Sequence, residues 1–161
     1  MMRINRAKRM YYNHQIIGVS SRLHEIQAAI LRVKFKYLKQ NLEHRQKIAE
    51  EYSRFLGGVG DLILPATENN SKRVYNYYVI RIRHRDGLNK FLTDSNIKTS
   101  ILYPTPLHLL RAFKFLNYKI GDFSEAEKAA KQIICLPIHE FLPLRKVKAV
   151  ADLIRKFFNK G

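Results

Sequence analysis

Cysteine is almost missing from this sequence: Cys135 stands alone among 161 residues. A single thiol excludes an internal disulfide framework and a thiolate metal cluster. Long apolar runs are missing too, so the chain has no candidate membrane-spanning helix. No hydrophobic stretch follows the basic start Met1-Met2-Arg3-Ile4-Asn5-Arg6, which argues against a secretory signal. By elimination, the cytoplasm is the expected compartment. Acidic residues are scarce, 13 against 30 lysines and arginines, for a formal net charge of +17. Such a field attracts anions: nucleic acid, an anionic membrane or phosphate-bearing substrates. The basic residues are spread along the chain rather than gathered in one tail. This spread fits a solvated surface, or a surface against which a more acidic partner region normally lies. The six histidines are scattered, and none forms a ligand set at helical spacing beside an acid. There is no phosphate-loop signature and no nucleophile-elbow pattern. Zinc-finger spacing, a glycine-rich RNA clamp and RNP-like aromatic segments are also lacking. Any nucleic-acid binding should therefore be weak, salt-sensitive and nonspecific.

What the sequence does contain is the balance of a soluble globular domain, 46% hydrophobic and 27% charged residues. The strongest periodic segment follows Gly18-Val19-Ser20-Ser21. Either serine can cap a helix, and Glu25 falls near the first turn, where an acid is favourable. Leu23, Ile26, Ile30, Val33 and Tyr37 recur at helical spacing, with Leu31, Phe35, Leu38 and Leu42 as a second line beside them. The two lines predict a wide buried stripe near the start of a long helix. From Lys39 the stripe narrows to Ile48, Tyr52, Phe55 and Leu56, and the helix should stop at Gly57-Gly58.

Val74 to Ile82 reads as a strand rich in β-branched and aromatic residues. A helix through Leu88, Phe91 and Leu92 follows, with Asp86 as a candidate cap. Ile97 to Leu102 is a short strand candidate ending at the rigid Tyr103-Pro104-Thr105-Pro106 segment. Phe123 to Ile134 predicts a helix, Cys135 to Ile138 a brief buried run. Pro143 then opens a last helix through Val147, Val150, Ile154 and Phe157. Helices packed on a small sheet make the expected fold class α+β, an α/β layered arrangement.

The motifs carry more identity than the periodicity does. Gly18-Val19-Ser20-Ser21-Arg22-Leu23-His24-Glu25-Ile26-Gln27-Ala28-Ala29-Ile30-Leu31 resembles a characteristic segment of the DegT/DnrJ/EryC1/StrS aminotransferases. Four further segments match in order: Arg45 to Tyr52, Tyr75 to Arg81, Tyr103 to Leu109 and Leu136-Pro137-Ile138-His139. Gly121-Asp122-Phe123 with Ala126-Glu127 also resembles the family stretch before its penultimate helix. The resemblance implies the small C-terminal domain of an aspartate-aminotransferase-like fold, preceded by a long interdomain helix. On this reading residues 1–21 lead in from an upstream large domain and residues 22–161 form the small domain. It also implies pyridoxal phosphate (PLP) as cofactor and amino transfer from glutamate to a nucleotide-linked keto-sugar.

In the family, the Schiff-base lysine lies upstream of the part represented here, and Tyr11-Tyr12-Asn13-His14 resembles the stretch that follows it. A Schiff-base lysine needs a defined position and a lowered pKa, which a helix-surface Lys34 or Lys39 lacks. No catalytic residue is therefore assigned, and PLP binding by this chain on its own is doubtful. The resemblance places Ser20 where the family usually has an asparagine reaching the PLP phosphate of the neighbouring subunit; a plain helix cap is the alternative. Arg22 matches the family arginine, which either orders the phosphate-side loop or forms a surface ion pair. His108, Tyr103 and His14 are substrate-side candidates. His108 can equally anchor a loop through hydrogen bonds, and Leu102 stands where many relatives have a polar residue. Metal ligands are not expected.

Three functional classes remain open at this point. One is an aminotransferase by descent, either a part needing a lysine-bearing large domain and inactive on its own, or a decayed paralogue without catalysis. The second is a non-catalytic module that oligomerises or binds a partner, and the third, suggested by the charge alone, is a basic nucleic-acid-binding protein. In the family the Leu23–Leu42 region borders the large domain and the dimer partner, so without them part of the stripe should be exposed and should favour self-association.

Overall fold

A computed structural model of the chain describes residues 23–66 and 73–159. Two units divide at Lys39, Met1–Lys39 and Gln40–Gly161. The described part of the first unit is helical, the opening half of α1 (Glu25–Leu56). Its periodic apolar residues are there, but they are not buried. Ile26 and Phe35 are 76% and 74% exposed, and Leu23, Ile30, Leu31, Val33, Tyr37 and Leu38 are exposed as well. The periodicity thus marks a face built for burial, while the expected buried stripe is absent among the described residues.

In the second unit, α1 changes character. Ile48, Tyr52 and Leu56 repeat every four residues and are fully buried, so one side of the helix enters the core. The helix ends where expected: Gly57 N–H still bonds Ser53 O at 3.0 Å, and Gly58 turns left-handed at φ 73°. Gly60, also left-handed, leaves room for the Phe158 ring, which a Cβ there would meet at 2.2 Å.

The sheet has two antiparallel strands, β1 (Tyr78–Arg81) and β2 (Ile133–Leu136), with Tyr78 opposite Leu136 and Ile80 opposite Ile134. Single bridges extend it on both sides, Ile63 to Arg81 and Ser100 to Cys135. The strand predicted from Val74 starts four residues late. Tyr75 adopts φ 44°, which an extended strand cannot contain. The candidate at Ile97–Leu102 pairs only at Ser100, because left-handed Asn96 and Tyr103 bracket it.

Helix α2 (Arg85–Asp94) carries Asp86 in its first turn rather than at its cap, which is His84. Helix α3 (Ser124–Gln132) stops when Ile133 turns extended and enters β2. Helix α4 (Leu144–Phe158) opens after Pro143, as expected, and buries Val147, Val150, Ala151 and Ile154. Together with Tyr78, Ile80, Leu88, Leu92 and Ile134, these side chains make one core against α1. The mixture of helices around a small sheet is the α+β layer that the sequence predicts.

One buried charge went unforeseen. Arg85 is 9% exposed, and its Nη1 donates to the carbonyls of Ala130 and Ile133 at 3.3 Å each. The Ala130 carbonyl lies in the last turn of α3 and Ile133 just past its end, where a cation is electrostatically favoured. Among the described residues no helix is long and apolar enough to cross a membrane.

Candidate functional site

The segment from Ser100 to Phe123 carries the sequence-predicted substrate-side residues within the described structure. Pro104 and Pro106 lie between the Ser100 bridge and two short 3-10 turns, Leu107–Leu109 and Arg111–Leu116. Tyr103 sits at the bend, left-handed at φ 49° and 68% exposed. Its phenol is free to face a ligand, and its backbone conformation is one that non-glycine residues adopt only where surroundings hold them.

His108 lies differently. Its side chain is 8% exposed, and Nε2 donates to Glu127 Oε1 at 3.1 Å. The imidazole packs on Phe123 with ring centres 4.8 Å apart, and Tyr118 meets the same phenyl ring edge-on at 4.9 Å. Glu127 Oε1 also accepts from Gly121 N–H at 2.8 Å. One carboxylate on α3 therefore ties both ends of the loop, His108 at its start and Gly121 at its end. Of the two readings the sequence left open for His108, this geometry is that of the loop anchor.

Glu127 itself was visible in the sequence only as part of a motif. The available signal was an acid in the first turn of α3, but its partner lies nineteen residues away, beyond any local pattern. The Gly121 amide above all, and His108 beside it, hold the Glu127 carboxyl below its ordinary value against the opposing effect of desolvation. A depressed folded-state pKa means that the anchor contributes fully above the ordinary carboxylate range. It is lost as the pH falls through the lowered folded value. The protection factor of the Gly121 amide, followed by NMR exchange from neutral into acid and referred to the intrinsic rate at each pH, should therefore fall only below the ordinary glutamate range. In Glu127→Ala it should be low throughout, and equal protection in both proteins would remove the anchor.

Two other motif residues have structural partners. Arg45 Nη2 pairs with Glu140 at 2.8 Å. His139 Nδ1 accepts from Phe141 N–H at 3.2 Å, consistent with a structural histidine. Ser20, Arg22 and His14 lie outside the described residues, as does the lead-in segment. The described structure thus brings His108 and Glu127 together, while Tyr103 stands apart in solvent.

The resemblance implies PLP, and the residues described here do not fit the centre that this cofactor needs. Every lysine among them is exposed, including Lys34 and Lys39 on α1. None is placed in a pocket that would desolvate its amine and ready it for a Schiff base. Among the described residues no cluster of histidine, cysteine and acidic side chains could hold a metal ion.

Comparison with known proteins places these features in a family. Residues 2–155 match the DegT/DnrJ/EryC1/StrS aminotransferase family. A pleiotropic regulatory protein of Geobacillus stearothermophilus is 41% identical over 98% of this chain and 43% of its own length. The dTDP-3-amino-3,4,6-trideoxy-alpha-D-glucose transaminase of Streptomyces venezuelae is 33% identical over 95% of the chain and 40% of its own. Among solved structures, S. venezuelae DesV in complex with a ketimine intermediate superposes with a TM-score of 0.86 at 32% identity, over 94% of this chain and 41% of DesV. The chain spans about two fifths of the length of these relatives. With the fold, the order of motifs and these matches in agreement, the chain belongs to the DegT/DnrJ/EryC1/StrS aminotransferase family and represents a C-terminal portion of it.

Proposed function

We propose that this chain supplies the C-terminal part of a PLP-dependent nucleotide-sugar aminotransferase and does not transfer an amino group by itself. The observation that carries this reading is the family match over residues 2–155 in a chain whose described lysines are all exposed. The Schiff-base lysine and the acid that pairs with the pyridine nitrogen then come from a large domain, in the same protein or in a partner. Within the completed enzyme, Ser20 and Arg22 contribute to the phosphate side of the cofactor. Tyr103 and His14 lie toward the sugar. His108 is a positioning residue, acting through Glu127 on the loop that presents Tyr103.

The exposed face of α1 supports the partner half of the proposal. Eight large apolar side chains between Leu23 and Leu38 have no cover among the described residues. Such a surface favours association, either with the lysine-bearing large domain or with a second copy of the chain. The working compartment is the cytoplasm, where nucleotide-linked sugars are the substrate class once the enzyme is complete.

Titration of the purified chain with PLP, followed by borohydride reduction and peptide mapping, tests the proposal. Scattered, substoichiometric labelling with no response to an amino donor is the expected result. A saturable aldimine at one lysine, converted by glutamate to the aminated cofactor, would instead assign a working half-reaction to this chain.

A further inference from the structure

Residues 111–120 are exposed without a break, although Phe113, Phe115, Leu116, Tyr118 and Ile120 are all large and apolar. Phe115 and Ile120 are 74% and 81% exposed, so they stand out from the surface instead of lining a groove. The charge here has one sign. Between residues 95 and 121 the chain has no aspartate or glutamate, but it carries Lys98, Arg111, Lys114 and Lys119. All four are exposed, and among the described residues none of their side chains pairs with an acid.

The 3-10 turn Arg111–Leu116 repeats every three residues, so side chains three apart eclipse each other. Arg111 and Lys114 therefore share one edge, Ala112 and Phe115 a second, and Phe113 and Leu116 a third. A basic edge thus runs beside the most exposed ring. Left-handed Asn117 ends the turn, and the chain continues through Tyr118 and Lys119 to Ile120. This tip is held in shape. Asp122 accepts the Lys119 backbone amide at 2.7 Å, Glu127 accepts that of Gly121 at 2.8 Å, and Tyr118 sits edge-on to Phe123. A loop pinned in this way does not fold its apolar side chains back into the core, and apolar surface kept in water marks a contact with something else.

Protruding apolar side chains flanked by lysine and arginine match the interface of an anionic bilayer. Rings and aliphatic chains enter the boundary between headgroups and acyl chains, while long basic side chains reach the phosphates. A protein partner would need preformed pockets for Phe115 and Ile120, whereas a lipid layer yields to them. We propose that residues 111–120 dock this protein on an anionic membrane surface, with Phe115 and Ile120 inserted and Arg111, Lys114 and Lys119 at the headgroups. This docking is independent of the aminotransferase reading, which concerns the source of the catalytic lysine.

The sequence contains no tryptophan, so Phe115→Trp and Phe35→Trp each give the full chain a single fluorescent reporter, one on the loop and one on the exposed face of α1. Each variant is titrated at physiological salt with vesicles of phosphatidylcholine, alone or with about one third phosphatidylglycerol to set up a negative surface potential. A saturable blue shift at position 115 with the anionic vesicles, absent with the neutral ones, is the expected result. Co-sedimentation with the same vesicles reads the affinities of further variants. Ile120→Ser should weaken binding by about tenfold, the loss of most of one buried aliphatic side chain. Lys114→Gln should weaken it by about fivefold, the usual worth of one basic residue near an anionic surface. Lys156→Gln removes the same charge from α4, outside the loop, and should change affinity by less than about twofold. Ile120 and Lys114 are exposed, so unchanged thermal melting of their variants separates lost binding from lost folding. No shift at position 115, or an equal shift with neutral vesicles, would overturn the proposal. An equal loss in Lys156→Gln would do the same, since binding would then reflect the +17 field of the whole chain. A shift in Phe35→Trp alone would overturn it by moving the contact to α1. A lipid-free blue shift in Phe115→Trp that grows with protein concentration would overturn it by showing a second copy on the loop.

Discussion

Replacing Tyr52 with alanine should cost about 3–5 kcal/mol of folding stability, the usual range for deleting a large buried aromatic ring. That is a large part of the roughly 5–15 kcal/mol that holds an ordinary domain together. Tyr52 is fully buried where α1 meets the sheet, with its ring centre 5.0 Å from that of Tyr78. Its hydroxyl donates to Pro137 O at 3.0 Å, which ties α1 to the residue just past β2. Tyr78 is held in turn by the Ser53 hydroxyl at 2.9 Å. Tyr52→Phe keeps the ring and loses one hydrogen bond, so it should cost only about 0.5–1.5 kcal/mol. Urea unfolding of the two variants separates ring packing from the bond, and equal losses would show that the ring contributes little.

The same residue makes the fold sensitive to alkali. Burial above all, with Tyr78 next to it, pushes the Tyr52 phenol well above its ordinary value; burial likewise raises that of Tyr78. A raised folded-state pKa leaves the stability intact below the unfolded phenol value of about 10 and removes it progressively as the pH climbs beyond. Tyr52→Phe should flatten that alkaline loss. An unchanged profile would assign it to other groups.

The second large effect is on association rather than folding. Ile26→Glu combined with Phe35→Glu should leave the unfolding free energy within about 0.5 kcal/mol per substitution, as for other exposed positions. Self-association, or binding of a lysine-bearing large domain, should weaken by about 30-fold or more, the consequence of losing even one apolar anchor worth about 2 kcal/mol. Both side chains are about three-quarters exposed, so there is little packing within the chain to lose. Sedimentation of the wild type and the double variant across a concentration series reads the difference. A monomeric wild type that binds no large-domain fragment would remove α1 as a docking face.

Much of this protein is written in local order. The 3.6-residue repeat, a stop at Gly57-Gly58 and a start at Pro143 were enough to place α1 and α4, because helix periodicity and its punctuation are short-range properties. Family membership was legible for a related reason: motif order and spacing are linear features, and they match over residues 2–155. The fold class followed from both. The strands were less legible. The apolar run from Val74 could not reveal that Tyr75 breaks it, because that break is held by Arg45 from thirty residues away.

What only the tertiary structure decided is which polar groups meet and which apolar faces are covered. For His108 the sequence left a substrate-side role and a loop anchor both open, and only the fold shows Glu127 and Phe123 around it. Nothing in the linear pattern around Arg85 signals its burial against the end of α3. The stripe from Leu23 to Leu38 announces an apolar face by its spacing but says nothing about what lies against it. Periodicity records the side of a helix that avoids water. Burial and pairing depend on surfaces brought together from distant parts of a chain, or from another chain, and a linear pattern of residues carries no coordinate for them.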